Sequence, residues 1–144
     1  MNYGYACINE TLGAGPKKTR ITTNRSMIKR TFKEKGIAYA SELALQNIHD
    51  LIKILAWNED NDIRFYRMSS DIFPWASEYN YYDLPNYKEI KYWLRCAGEA
   101  ATKMGHRLTF HPGPFNCMAS PNFEVVEKTY KELNNHSRIF DMMG

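Results

Sequence analysis

Apolar residues recur at helical spacing in two central stretches of the chain, residues 41–58 and 90–104. In the first stretch, Asn47 and Asp50 fall with other polar residues on the face opposite the apolar one. This pattern predicts an amphipathic helix with those two side chains on its polar face. In the second stretch a glycine, Gly105, follows the last apolar position and predicts where that helix ends. The apolar positions of the two stretches are Ala44, Leu45, Ile48, Leu51, Ile52 and Leu55, and then Ile90, Trp93, Leu94, Ala97, Ala101 and Met104.

A third helix is predicted near the carboxyl end of the chain. Ser120 is a suitable N-cap, and Pro121 suits the first helical position because its missing N–H group needs no partner there. The predicted apolar stripe of this helix consists of Val126, Tyr130, Leu133 and Phe140.

Short stretches that favour β-structure precede each helical region. They cover residues 2–7, 63–70 and 106–111, and each is followed by a turn or loop rich in Gly, Pro or polar residues. Alternating strands and helices predict an α/β fold with parallel strands. Three such units are too few for a closed eight-unit barrel, so the pattern suits either a small open α/β domain or about the first half of a larger fold.

Size and composition are those of one globular domain spanning residues 1–144. The chain is 44% hydrophobic and 14% aromatic, without a stretch apolar enough to predict a membrane span. Its three cysteines, Cys7, Cys96 and Cys117, form no CxxC pair, and no secretory leader precedes them. We therefore expect reduced thiols and a soluble intracellular protein.

Positive charge is concentrated in one part of the chain, although the formal net charge is only +3. Eight Lys and Arg residues lie between Lys17 and Lys35, and Glu34 is the only acid among them. Such a cluster suits a phosphate backbone. It also suits a flexible, solvated loop, and the sequence does not separate the two interpretations.

The most informative polar residue is His111, which ends the third predicted strand and enters a Pro/Gly turn. In barrels built from alternating strands and helices, the carboxyl ends of the strands converge on the functional face. A histidine there can bind a metal or transfer a proton. Taken alone, a single histidine at this place is more often a strand-end residue that only forms a local hydrogen bond.

Four segments, in this order, resemble the amino-terminal part of the UV-damage endonuclease family, a family related in fold to endonuclease IV. They are Gly-Tyr-Ala-Cys-Ile-Asn at 4–9, Thr-Thr-Asn-Arg at 22–25, Phe-Tyr-Arg-Met-Ser-Ser-Asp-Ile-Phe-Pro-Trp-Ala-Ser at 65–77, and Gly-His-Arg-Leu-Thr-Phe-His-Pro-Gly at 105–113. The predicted helix at 41–47 also fits, so the resemblance covers nearly the whole chain.

The resemblance implies a partial TIM barrel of about three βα units, which binds divalent metals, with manganese as the expected ion. The family nicks DNA on the 5′ side of UV photoproducts in excision repair. By resemblance, His111 is a metal ligand and Asp71 a weaker, accessory candidate, which can also be a solvent-facing turn residue. Most metal ligands of the family lie on later strands than these, and no catalytic residue is assigned here.

The resemblance also implies DNA-contacting residues. Tyr5 and Asn9 match positions that border the DNA and the lesion pocket. An equally good interpretation is that Tyr5 is an aromatic core residue and that the Asn9 amide stabilises a turn. Asn24 and Arg25 lie in the matched segment at 22–25 and are further candidates.

The loop after His111 departs from the family pattern. Family members commonly carry a glutamine followed by an aromatic residue, and this pair is inserted into DNA at the lesion. Here the two positions are Pro114 and Phe115. Phe115 keeps a surface on which a base can stack, but Pro114 lacks the side-chain amide.

The remaining charged and histidine side chains are expected to be surface or packing residues. The histidines His49 and His136 are predicted on helix faces away from the strand ends, and His106 at the start of the third strand. Three further acids are expected to be solvated on helix faces: Glu42, Glu99 and Glu127.

Three functions stay open at this point. The first is a UV-damage endonuclease homologue that acts on UV-damaged duplex DNA, with a complementary carboxyl-terminal half-barrel chain or a second copy as partner and without a membrane. The second is a degenerate, non-catalytic DNA-binding or interaction protein. The third keeps the barrel but changes the substrate, as in sugar isomerases or apurinic endonucleases.

Overall fold

A computed structural model describes residues 3–144. Its strands are β1 (Gly4–Ala6), β2 (Phe65–Ser69) and β3 (Arg107–His111), and its helices are α1 (Glu10–Gly13), α2 (Lys29–Asp60), α3 (Tyr87–Lys103) and α4 (Phe123–Met143). Three single turns of 3₁₀-helix, Ser70–Ile72, Ala76–Glu78 and Tyr81–Asp83, lie between β2 and α3. The predicted first strand includes Asn2, which lies outside the described residues.

The three strands form one parallel sheet in the order β1-β2-β3. The strands are aligned so that Tyr66 of β2 pairs with Tyr5 of β1 on one side and with Leu108 of β3 on the other. These three side chains face the helices. Alternate residues of the same strands, including Arg67 and Thr109, point to the opposite face of the sheet. The predicted alternation of strands and helices is therefore confirmed.

The core lies between the sheet and helices α2, α3 and α4. Helix α3 buries the predicted face and ends where expected, since Gly105 has a positive φ of 67° that favours glycine. Fully buried side chains include Ile48, Leu51, Ile54, Leu55, Tyr66, Met68, Ile90 and Leu94. None of the helices in residues 3–144 is long and apolar enough to cross a membrane.

Helix α2 differs from its prediction in two ways. It begins earlier, at Lys29, and has a break at Gly36, whose φ of 64° and ψ of −160° are not helical. The expected polar positions Asn47 and Asp50 are buried, with 0% and 4% of their surface exposed. The prediction that these two residues are exposed is wrong because a preceding loop packs over this side of the helix. Helical periodicity does not reveal that contact.

The predicted start of α4 is wrong. Asn122, rather than Ser120, is the N-cap, because its side chain accepts a hydrogen bond from the Glu124 N–H at 3.0 Å. The Ser120 hydroxyl instead accepts from the Asn122 N–H, which forms a turn before the helix. Pro121 therefore precedes the helix.

The predicted apolar stripe of α4 is also rotated from the buried face. Tyr130, for example, is 62% exposed. The residues that α4 buries are Thr129, His136, Ile139 and Met143. A histidine occupies this interface because its ring stacks on Phe110 of β3, with ring centroids 4.2 Å apart.

Candidate nucleic-acid and metal site

The segments that follow the three strands meet at one edge of the sheet, as they must when all strands are parallel. Asn9 follows β1, Asp71 follows β2, and His111 ends β3. This edge also carries the loop with Pro114 and Phe115. The structure thus brings most sequence-predicted site residues to one side of the molecule.

The loop after His111 is fixed by a carboxylate from α4. Glu132 Oε1 accepts a hydrogen bond from the Gly113 N–H at 2.7 Å. The Ser70 hydroxyl donates to the His111 carbonyl oxygen at 2.6 Å and lies 3.1 Å from Glu132 Oε1. One carboxylate therefore connects α4 with the ends of two strands, although sequence analysis did not single it out.

The electrostatics of this carboxylate follow from its partners. Burial opposes the charged form, but hydrogen bonds from Gly113, Asn116 and Ser70 outweigh it and hold the pKa of Glu132 below its ordinary value. Burial raises the pKa of the nearby Asp71 carboxyl, and the negative charge of Glu132 raises it further. Glu132 thus stays charged while Asp71 binds its proton more readily than usual.

A cavity of about 660 Å³ lies beside this loop. Asp71, Trp75, Phe115, Tyr81 and His136 are among its lining residues. Two buried polar atoms of this lining, the Tyr81 hydroxyl and His136 Nε2, have no hydrogen-bond partner within the described chain. Burial lowers the pKa of His136, and Glu132, 3.9 Å away, opposes that shift. His136 is a packing residue as expected, but it is not remote from the strand ends.

Phe115 is 91% exposed, whereas the loop that carries it is held at Gly113 and Asn116. The Asn116 side chain donates to the Gly113 carbonyl oxygen at 3.0 Å. An exposed ring on an anchored loop is available for stacking without a preceding structural change. Pro114 beside it is also exposed.

Tyr5 and Asn9 use their polar groups inside the chain. The Tyr5 hydroxyl donates to Asn58 Oδ1 at 2.7 Å and accepts from Asn9 Nδ2 at 2.9 Å. Asn9 Oδ1 also accepts from the Leu12 N–H and so caps α1. These contacts fix the turn after β1 at the edge of the site.

Arg25 lies in a loop that is joined to α2 by two buried side chains. Its guanidinium is 2.6 Å from Asp50 Oδ2 and donates to two backbone carbonyl oxygens of its own loop. Asn47 Oδ1 accepts from the Arg25 N–H, and Asn47 Nδ2 donates to the carbonyl oxygens of Arg25 and Ile72. The neighbouring Asn24 side chain remains half-exposed. The sequence pattern gives no sign of the anchoring roles of Asn47 and Asp50.

The donor set for a metal is incomplete in residues 3–144. No three His, Cys, Asp or Glu side chains in this range are arranged to hold a metal ion. The exposed His111 imidazole fits a single ligand position, while Glu132 is already engaged by Gly113. These residues alone do not form a metal site.

Comparison with known proteins gives one consistent result. The chain matches the family model described as UV-endonuclease UvdE over residues 1–144. A protein of Acanthamoeba polyphaga mimivirus, provisionally described as a UV-damage endonuclease, is 39% identical over 100% of this chain and 43% of its own length. The UV-damage endonuclease of Schizosaccharomyces pombe is 36% identical over 97% of this chain and 23% of its own length.

A solved structure supports the same relationship. The crystal structure of SacUVDE superposes with a TM-score of 0.81 at 26% sequence identity, over 100% of this chain and 46% of that one. The architecture is accordingly part of a TIM barrel. The chain spans less than half the length of these relatives. With its whole length matched by the family model, the chain belongs to the UV-endonuclease UvdE family.

Proposed function

We propose that this chain forms the amino-terminal part of a UV-damage endonuclease, which nicks duplex DNA on the 5′ side of UV photoproducts during excision repair. Such work on DNA would take place inside the cell. The observation that carries the proposal is the exposed Phe115 on an anchored loop beside His111, in a chain of this family. A stacking ring next to a strand-end imidazole that can bind a metal suits incision close to a distorted base step.

In this proposal, Phe115 replaces base stacking that is lost at the lesion. Base–aromatic stacking contributes roughly 1–3 kcal/mol per base. Pro114 gives the loop no side-chain hydrogen bond, so recognition depends on shape and stacking more than on an amide contact. The adjacent cavity offers room and the Trp75 ring to groups displaced from the DNA helix.

We assign the remaining predicted site residues two kinds of role. Asn24 contacts DNA directly, because this residue is half-exposed in the loop that precedes α2. Tyr5, Asn9 and Arg25 mainly hold the surrounding loops in place, because their polar groups are engaged within the chain.

We further propose that His111 is one ligand of a divalent metal, with manganese as the expected ion. When bound, such an ion would supply polarisation of the phosphate and a lowered pKa of a metal-bound water. Other ligands would come from a complementary carboxyl-terminal half-barrel or from a second copy of the chain. The role of Asp71 is accessory, because this residue directly follows β2 at the same edge of the sheet and lines the adjacent cavity.

The test compares binding to one duplex with and without a single pyrimidine photoproduct. We expect tighter binding of the damaged duplex, and we expect Phe115→Ala to weaken it roughly 5- to 150-fold, as the stacking energy implies. Phe123→Ala is the matched control, because Phe123 is also exposed, at 78%, but lies at the start of α4. Equal binding of both duplexes, or equal effects of the two variants, would contradict the proposal.

A second candidate is a non-catalytic protein that binds DNA through the same surface. It is favoured by the incomplete donor set in residues 3–144 and by proline at position 114. A photoproduct-dependent nick that requires metal and His111 would exclude this candidate, whereas binding without incision in every assembled form would support it.

A further inference from the structure

A short basic helical segment is docked beside the candidate site. It comprises the part of α2 before the break at Gly36, residues 29–35. Lys29, Arg30 and Lys33 are exposed, and Arg30 pairs with Glu34, the only acid of the segment. At 3.6 residues per turn, Lys29 and Lys33 lie on one side of the helix and Arg30 next to them. We call these three residues the basic face.

The segment is held against the loop that follows β2. Phe32 stacks on Trp75, with ring centroids 5.5 Å apart and an angle of 14° between the ring planes. Trp75 Nε1 donates to the Met27 carbonyl oxygen at 2.9 Å. Trp75 itself has a φ of 60°, a conformation that is uncommon for a bulky residue and therefore needs surrounding contacts to hold it. The segment is thus fixed at its start and along one side.

The same Trp75 lines the cavity that Phe115 also lines. Its loop begins at Asp71 and is joined through Ile72 and Asn47 to the loop that carries Arg25. The docked segment consequently belongs to the same edge of the molecule as the stacking ring. Residues 29–35 therefore form an ordered charged surface and not a flexible, solvated loop.

Not all cations of the basic stretch share this position. Arg25 is engaged with Asp50, and the Lys35 ammonium lies over the Tyr39 ring, 4.3 Å from its centroid. The basic face differs, because its three residues are exposed and, among residues 3–144, only its Arg30 forms an ion pair, with Glu34, which is also exposed. An array of fixed cations is suited to the phosphates of a nucleic-acid backbone.

Resting on the proposed function, we infer that the basic face binds backbone phosphates of the duplex that flanks the lesion. Phe115 contacts the distorted step, and the basic face supplies affinity that does not depend on sequence or damage. The Phe32–Trp75 stack is the element that holds this second contact in a fixed position relative to the first.

The experiment measures the affinity of the full 144-residue chain for a duplex with one photoproduct across a series of salt concentrations. Each lost phosphate contact reduces the slope of log affinity against log salt by about 0.9, so Lys29→Gln with Lys33→Gln should reduce it by about 1.8. The control pair, Lys91→Gln with Lys103→Gln, removes the same charge from exposed positions of α3. It should leave the slope unchanged.

A third variant, Phe32→Ala, keeps every charge but removes the stack. We expect it to weaken binding at least threefold at fixed salt. Three results would overturn this inference without contradicting the proposed function. They are unchanged binding by Phe32→Ala, an unchanged slope for the Lys29/Lys33 pair, and an equal slope change in the control pair. If the unaltered chain does not bind the damaged duplex, both the inference and the proposed function fail.

Discussion

Replacing Asn47 should disconnect two loops at the candidate site at once. The side chain is fully buried, with its amide between the loop that carries Arg25 and the loop after β2. Its three shortest hydrogen bonds measure 3.0, 3.0 and 3.2 Å. At about 1 kcal/mol of net stability for each bond, Asn47→Ala should lower the free energy of unfolding by about 3 kcal/mol. For a domain of this size, that corresponds to roughly 10 °C in Tm.

Asn47→Asp tests the chemistry more closely, since it conserves shape. The introduced carboxylate would face carbonyl oxygens that now accept from the Asn47 amide, and both burial and those oxygens would raise its pKa in the folded state. An acid whose folded pKa is raised destabilises the fold once pH exceeds its unfolded pKa. Stability of Asn47→Asp should therefore fall as pH rises, relative to the unaltered chain.

Urea unfolding followed by tryptophan fluorescence measures these changes, with Gln46→Ala, an exposed neighbour on α2, as the control. We expect the control to lie within about 0.5 kcal/mol of the unaltered chain. A cost below about 1 kcal/mol for Asn47→Ala, or a cost equal to that of Gln46→Ala, would refute the anchoring role.

The other predictions concern the functional edge and the open sheet. Glu132→Ala should reduce the hydrogen-exchange protection of the Gly113 amide. In the unaltered chain the same protection should fall on acidification through the folded pKa of Glu132, because folding lowers that pKa below the ordinary glutamate range and the charged carboxylate makes the contact. Pro114→Gln should increase the preference for damaged over undamaged duplex in a competition assay, whereas an unchanged preference would show that the amide is dispensable. Sedimentation of the isolated chain should show self-association, because β1 and β3 are edge strands; a sharp monomer with cooperative unfolding would contradict that expectation.

The sequence predicted the strands and α3 well, for a clear physical reason. Local periodicity determines which face of α3 is buried, and Gly105 ends it through a backbone conformation that other residues avoid. The position of His111 at a strand end follows from the same local logic, since a strand that runs into Pro112 and Gly113 must end there.

The missed features depend on contacts between distant parts of the chain. Asn47 and Asp50 are buried only because the loop at 22–25 folds over α2, and polar residues give no periodic signal of such a contact. Glu132 is nineteen residues from Gly113, so no local pattern connects them. Helix α4 turns a histidine inward because Phe110 offers a stacking partner, which only the assembled sheet supplies.

The most direct test of the central claim is incision of damaged DNA. Residues 1–144 would replace the matching segment of the mimivirus relative, and nicking of a UV-irradiated supercoiled plasmid would be measured with and without Mn²⁺. The account predicts metal-dependent nicks in irradiated plasmid only, abolished by His111→Ala and retained in His49→Ala, a histidine on α2. Undiminished nicking by His111→Ala, or no nicking by a chimera that is folded and binds the damaged DNA, would contradict it.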